Sequence, residues 1–130
     1  MSDIPAFMRA LGLSIERTDE REAVLRMDVP DGLMSPFGTV HGGAIAALFD
    51  TGLAVAIARH LDPLDRIATH NLNVSYVTFA REQRLRCRAR VISLRTAVAI
   101  AEGEVVTEAG VLVAKAVGTF GIRRRSGRDG

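Results

Sequence analysis

The longest apolar stretch of the chain runs from residue 42 to residue 58 and carries one charged side chain, Asp50, near its middle. A helix that is apolar on every side is typical of a protein core. The stretch is too short and too rich in alanine and glycine to span a membrane, and its central acid would make insertion more costly. The pattern therefore predicts one long buried helix that begins at Gly42 and Gly43 and holds a carboxylate inside.

Apolar and polar residues alternate on both sides of this helix, which is the pattern of half-buried strands. A short helix, with Asp3 as its N-cap and Pro5 in its first turn, is predicted over residues 4–11. Strands are predicted over residues 14–19, 22–30, 67–79, 85–94, 97–107 and 111–122. This order, with antiparallel strands and one wrapped helix, indicates an α+β fold.

The strand over residues 67–79 has two distinct faces. Leu72, Val74 and Tyr76 lie on one face, and residues 71, 73 and 75 form a polar face on the other. Pro63 stops the long helix, whose negative end carries Arg59 and His60, so His60 is interpreted as a partner of the helix dipole.

The remaining segments read as loops and one tail. Residues 31–39 are rich in turn formers and lead into the long helix. Residues 108–110 form a hairpin loop. Residues 123–130 form a basic tail, predicted to be mobile. We find no repeat and no linker, so a single domain over residues 1–130 is expected.

The composition favours a globular protein and excludes some classes of binding protein. The chain has 130 residues, of which 48% are hydrophobic, enough for one globular core. Its one cysteine, Cys87, excludes a disulfide framework and a multi-cysteine metal site, and fits the reducing cytoplasm. The first residues carry no basic run before an apolar one, so no signal peptide is expected. The formal net charge of +2 does not favour a general nucleic-acid binder.

Asp50 is the main candidate for chemistry. Buried aspartates are rare unless they are paired, and no lysine or arginine lies within a turn or two of this one. It is either a structural residue, exposed at the helix edge or bonded to a distant partner, or a catalytic acid. The Gly42–Gly43 helix start would expose backbone N–H groups to a substrate, and such groups stabilise a developing oxyanion. Asp50 would then act on a carbonyl as general base or as nucleophile.

Four features of the sequence form a recognisable pattern: GTVHGG over residues 38–43, Asp50 nine positions after His41, NLNVSY over residues 71–76 and GTF over residues 118–120. This pattern resembles that of the hot-dog fold acyl-CoA thioesterases, in particular the branch of the phenylacetate-degradation thioesterase. The resemblance covers about residues 10–122.

The resemblance implies a sheet wrapped around the long helix, subunits that join their sheets edge to edge, and pairs of dimers that form a tetramer. It implies hydrolysis of an acyl-CoA to free acid and CoA. Asp50 matches the catalytic acid, and Gly42 matches the residue whose N–H polarises the thioester carbonyl. His41 matches the residue that shapes the helix start, and Thr69 a hydroxyl near the acid. Ser35 stands where many relatives have asparagine, and its hydroxyl has a shorter reach.

Several alternatives stay open. His41 could be a base paired with Asp50 instead of an orienting residue. Cys87 could be an activated thiol, although its apolar phase favours a core position. Arg81 and Arg84 could hold CoA phosphates or be solvated surface charges. No metal-ligand spacing or phosphate loop appears, so no cofactor is expected beyond the CoA of the substrate. A non-catalytic acyl-CoA-binding protein and a hot-dog hydratase or dehydratase are the other function classes.

Overall fold

One six-stranded antiparallel sheet wraps around one long helix. The computed structural model describes residues 5–125. Within them the chain forms two α-helices, a 3₁₀ helix over Asp31–Leu33, and six strands. The helices are α1 (Ala6–Ala10) and α2 (Gly42–Ala58), and the strands are β1 (Leu13–Thr18), β2 (Ala23–Asp28), β3 (Arg66–Tyr76), β4 (Arg84–Leu94), β5 (Val98–Thr107) and β6 (Leu112–Arg123). The strands lie in the sheet order β1-β2-β4-β5-β6-β3.

The core lies between α2 and the concave face of the sheet. Leu48, Phe49, Leu53 and Ile57 of α2 are fully buried against alternate residues of the strands. Cys87 of β4 belongs to this core, and burial raises the pKa of its thiol to about 12. A thiol in that environment stays protonated at neutral pH, which makes Cys87 a packing residue rather than a nucleophile.

The convex face of the sheet is charged and exposed. The arginines of β4 alternate with its buried residues and form ion pairs across the neighbouring strands: Arg84 with Asp28 and Glu108, Arg86 with Glu16, Arg88 with Glu22, and Arg90 with Glu102. Exposed pairs of this kind contribute little to stability, because water and salt screen them. The arginines that alternate in the sequence therefore lie on the solvent-exposed face of β4.

The α+β fold that the alternation predicts and the wrapped sheet that the family resemblance implies are both confirmed, and most element bounds agree within a few residues. The helix α2 differs from the prediction in one respect. It is not buried all round, because the face that carries Ala47, Asp50, Thr51 and Ala54 is only half-buried. The sheet covers one side of the helix, so in a single chain the other side stays partly accessible.

The ends of the chain also differ from the prediction. β6 extends to Arg123, and Arg124 donates to the buried carboxylate of Asp65 at 3.4 Å and to two backbone carbonyls. The proposed N-cap Asp3 and residues 126–130 of the predicted tail lie outside the described residues. The described part of α1 begins after Pro5 and is shorter than expected.

Two glycines in the sheet set the position of α2. Leu53 of the helix packs over Gly103 of β5 and Gly118 of β6. A Cβ atom added at Gly103 would lie 2.8 Å from the backbone oxygen of Arg88 and 3.2 Å from a methyl carbon of Leu53. A Cβ atom at Gly118 would lie 3.0 Å from the other methyl carbon of Leu53. The absence of side chains at both positions lets the middle of the helix approach the sheet.

We predict that Gly103→Ala lowers the free energy of unfolding by about 2 kcal/mol, as overpacking of a filled core does. The clash involves a backbone oxygen, which a rotamer change cannot relieve. Gly32→Ala is the matched control, because its Cβ atom would meet nothing within 4 Å, and a change within about 0.5 kcal/mol is expected there. Urea unfolding at equal protein concentration compares the two, and equal losses would contradict the packing argument.

Candidate active site

The start of α2 leaves one backbone donor without a partner. The N–H of Gly43 donates to Nδ1 of His41 at 2.9 Å, and the N–H groups of Ala44 and Ile45 donate to the carbonyl of His41 at 3.0 and 3.4 Å. Within residues 5–125 nothing accepts a hydrogen bond from the N–H of Gly42. The first N–H groups of any helix lack helical partners, and here His41 satisfies all but that of Gly42.

The loop before α2 is held in place by hydrogen bonds to Ser35 and to the backbone of Leu33. Ser35 Oγ lies 2.8 Å from the hydroxyl of Thr39 and also accepts from the N–H groups of Phe37 and Thr39. The N–H of His41 donates to the carbonyl of Leu33 at 3.0 Å. Ser35 therefore organises the loop that presents the helix start.

An apolar cleft of about 550 Å³ opens beside the start of α2. Its lining includes the backbone of Gly42 and Gly43 and the side chains of Phe37, Tyr76 and Phe79. Phe37 and Phe79 are 84% and 79% exposed, an unusual fraction for large aromatic side chains. An apolar cleft with one free backbone donor is the general form of a small-molecule site.

Asp50 lies further along the helix and is bonded to β3. The hydroxyl of Thr69 donates to Oδ1 of Asp50 at 2.7 Å. Asp50 is half-buried, and no arginine, lysine or histidine of the described chain forms an ion pair with it. The arrangement leaves a carboxylate that one hydroxyl orients and no cation neutralises.

Thr69 reaches this position because β3 contains a β-bulge. In the pairing with β6, Thr69 lies opposite Phe120 and the next paired residue of β3 is Asn71, so His70 is the extra residue. In a regular strand Thr69 would share a face with Asn71 and point away from the helix. The extra residue shifts the alternation by one. Thr69 consequently shares the concave face with the buried Phe120 and meets Asp50.

The predicted site residues form two groups. Ser35, His41, Gly42 and Gly43 lie together around the cleft, whereas Asp50 and Thr69 form the second group. Gly42 and Asp50 are eight positions apart, which is about 12 Å along a helix axis. Within one chain the two groups are therefore too far apart to contact the same carbonyl carbon.

The two predicted phosphate-binding arginines lie outside the cleft lining. Arg84 forms ion pairs with Asp28 and Glu108, and these hydrogen bonds, that to Glu108 first, raise the pKa of its guanidinium. Arg81 is exposed and forms no ion pair within residues 5–125. Of the two arginines, Arg81 is the one with a free guanidinium.

Sequence reasoning missed three features of the site. The bulge at His70 has no signature in the apolar alternation, which looks regular from Leu72 onward. The hydroxyl of Tyr76 donates to the carbonyl of Gly42 at 2.6 Å. The phase of Tyr76, shared with Leu72 and Val74, could have placed it on the helix side of the strand. The loop aromatics Phe37 and Phe79 follow no period that would assign them to a cleft.

In residues 5–125 no group of three or more histidine, cysteine, aspartate or glutamate side chains is arranged to bind a metal ion. No helix in the same range is long and apolar enough to cross a membrane.

The chain is similar to several known proteins. A Halobacterium salinarum protein provisionally named an esterase is 39% identical over 104 residues, which are 76% of this chain and 68% of that protein. A phenylacetic acid degradation-related protein of Ralstonia eutropha is 30% identical, with a TM-score of 0.86 and coverage of 92% of both chains. A Bacillus halodurans protein solved with CoA is 29% identical, with a TM-score of 0.73 and coverage of 76% of this chain and 70% of that chain.

The profile of the thioesterase superfamily matches residues 37–114, from the loop before α2 to the third residue of β6. The match spans more than half of the chain and includes the helix start, the half-buried Asp50 and the bulged strand. The fold and the enzyme class expected from the sequence, a hot-dog thioester hydrolase, are confirmed: the chain belongs to the thioesterase superfamily.

Proposed function

We propose that the protein hydrolyses acyl-CoA thioesters to the free acid and CoA. The observation that carries this proposal is the unpartnered N–H of Gly42, which lies at an apolar cleft. A thioester carbonyl oxygen that accepts from this N–H would gain the stabilisation that oxyanion donors provide, about 3–4 kcal/mol for one donor in other acyl-transfer enzymes. The positive end of the α2 dipole acts in the same direction.

Asp50 supplies the second part of the reaction by one of two routes. As general base it takes a proton from a water molecule whose oxygen attacks the carbonyl carbon. As nucleophile its carboxylate attacks the carbon itself, and water later hydrolyses the mixed anhydride. In both routes the carbon–sulfur bond breaks, CoA leaves as a thiolate that takes up a proton, and the acyl group ends as a carboxylic acid. Thr69 orients Asp50 by its hydrogen bond.

The active site is assembled from two subunits. Gly42 and Asp50 of one chain are about 12 Å apart along the helix, so the carboxylate that acts beside Gly42 comes from a partner subunit. β3 is an edge strand of eleven residues with many exposed side chains, and pairing with a second copy would cover that edge. We therefore infer a homodimer, and by the family resemblance we propose that two such dimers associate.

The CoA part of the substrate is supported by the Bacillus halodurans relative that was solved with CoA. In this chain the apolar cleft would take the acyl group beside Gly42, and the exposed Arg81 is the candidate for a phosphate of the CoA. Gly43 and Ser35 serve this site by shaping the helix start. The protein acts in the cytoplasm, where its lone thiol stays reduced, and needs no cofactor besides the CoA of its substrate.

We predict that Asp50→Asn reduces turnover of acyl-CoA at least ~100-fold and leaves a folded protein, because an amide neither accepts a proton nor attacks a carbonyl. Thiol release from a panel of aromatic, short-chain and medium-chain acyl-CoAs measures the rate, and acyl-CoA binding is measured separately. Glu20→Gln is the control, because this acid lies in the exposed turn between β1 and β2. Near wild-type turnover in Asp50→Asn would mean that Asp50 is structural.

We predict that two inactive variants restore activity when their subunits are mixed. Asp50→Asn removes the acid, and Gly42→Pro removes the N–H at a helix position where proline is tolerated. The backbone of His41 is extended, with ψ at 134°, as the residue before a proline requires. In a mixed dimer, the intact Gly42 of one subunit faces the intact Asp50 of the other, so one of the two active sites is complete. Random exchange makes about half of the dimers mixed, and about a quarter of wild-type activity should therefore return.

The mixing experiment needs proof that subunits exchange. Sedimentation shows whether the protein is a dimer or larger at micromolar concentration, and differently tagged subunits recovered together show exchange. Exchange without recovered activity would place the whole site in one chain. A stable monomer would contradict the shared site directly.

A further inference from the structure

Tyr76 connects the end of β3 to the start of α2. Its hydroxyl donates to the carbonyl oxygen of Gly42 at 2.6 Å, across 34 positions of sequence. Tyr76 is the last residue of an edge strand whose one sheet neighbour is β6. This hydrogen bond therefore links the free edge of the sheet to the helix turn that carries the unpartnered N–H.

The contact continues into a chain of hydrogen bonds. The carbonyl of Gly42 and the N–H of Gly43 belong to the same peptide group. That N–H donates to Nδ1 of His41 at 2.9 Å, so the peptide accepts from Tyr76 at one end and donates to His41 at the other. Each hydrogen bond in such a chain polarises the next, and together they hold the peptide plane. Because Nδ1 of His41 accepts, the proton of a neutral His41 is on Nε2.

The ring of Tyr76 lies against the same glycine. A Cβ atom added at Gly42 would lie 3.5 Å from both the hydroxyl oxygen and the adjoining ring carbon. The tyrosine is 52% exposed, and its ring forms part of the cleft wall. Burial raises the pKa of the Tyr76 hydroxyl above its usual value, so the hydroxyl keeps the proton that it donates throughout the neutral range.

The geometry points to Tyr76 as a positioning residue for the thioesterase reaction: its hydroxyl fixes the Gly42–Gly43 peptide and thereby the direction of the Gly42 N–H into the cleft. The N–H of Gly42 and the Gly42–Gly43 peptide group are attached to the same Cα atom, and glycine has no side chain that restricts rotation about the bonds of this atom. Because Tyr76 holds the peptide group on one side of the Cα and His41 is the residue on the other side, the direction of the Gly42 N–H is set. This role rests on the proposed function and adds a residue to it.

The test compares Tyr76→Phe with the wild-type protein. The phenylalanine keeps the ring against Gly42 and removes one hydrogen bond, which should lower kcat about tenfold and leave KM unchanged. Ser75→Ala is the matched control, since it removes a hydroxyl from the opposite face of the same strand, and it should leave kcat unaltered. Thermal unfolding verifies that the three proteins are folded.

A double-mutant cycle separates positioning from general stability. Tyr76 and His41 act on one peptide group, so their effects on kcat should not add. Tyr76→Phe in a His41→Ala background should lower kcat by clearly less than tenfold. The amide resonance of Gly43 reports the same contact without any substrate. It should shift in Tyr76→Phe and stay in place in Ser75→Ala.

Three results would overturn the inference. One is a kcat of Tyr76→Phe within twofold of the wild-type value, another is a rise in KM that accounts for the whole loss, and the third is an unmoved Gly43 resonance. Failure of the proposed function looks different, because the wild-type protein itself would then release no thiol from any acyl-CoA tested.

Discussion

A helix must leave its first backbone N–H groups without helical partners, and this protein uses that constraint at the start of α2. His41 accepts from the N–H groups of Gly43, Ala44 and Ile45 with its side chain and its carbonyl. The N–H of Gly42 is left, beside an apolar cleft. If this donor is the group that the fold presents to a substrate, the features around it can be explained. The loop before the helix positions the helix start, the two glycines leave its backbone accessible, and Tyr76 holds the peptide group that follows the donor.

The second requirement is a carboxylate that is held but not neutralised. The sheet wraps one side of α2, so Asp50 lies on the half-buried side, away from the arginines of the convex face. The bulge at His70 turns Thr69 toward it. A bulge distorts the pairing of its strand, and here it places the hydroxyl of Thr69 within hydrogen-bond distance of Asp50. Within a single chain Asp50 lies about 12 Å along the helix axis from Gly42, which is why the proposed site needs two copies of the chain.

Much of the fold could be predicted from the sequence, because the alternation of strands and the apolar run of α2 are strong local signals. Asp50 and Gly42 could be singled out by the physics of a lone acid and of a helix start. Thr69 came from the family resemblance, and its contact with Asp50 depends on a bulge that alternation does not reveal. The half-exposed face of α2 could not be foreseen either, because an all-apolar helix does not show which side the sheet covers. The Tyr76 contact with Gly42 joins residues distant in sequence, and only the folded chain brings them together.

A crystal structure of Asp50→Asn with an intact acyl-CoA tests the central claim most directly. The variant should slow hydrolysis enough to hold the thioester in place. The account predicts a carbonyl oxygen about 2.7–3.1 Å from the N–H of Gly42 in one subunit, with residue 50 of the partner subunit facing the carbonyl carbon. A thioester bound away from the start of α2, or one approached by residue 50 of the same chain, would contradict it.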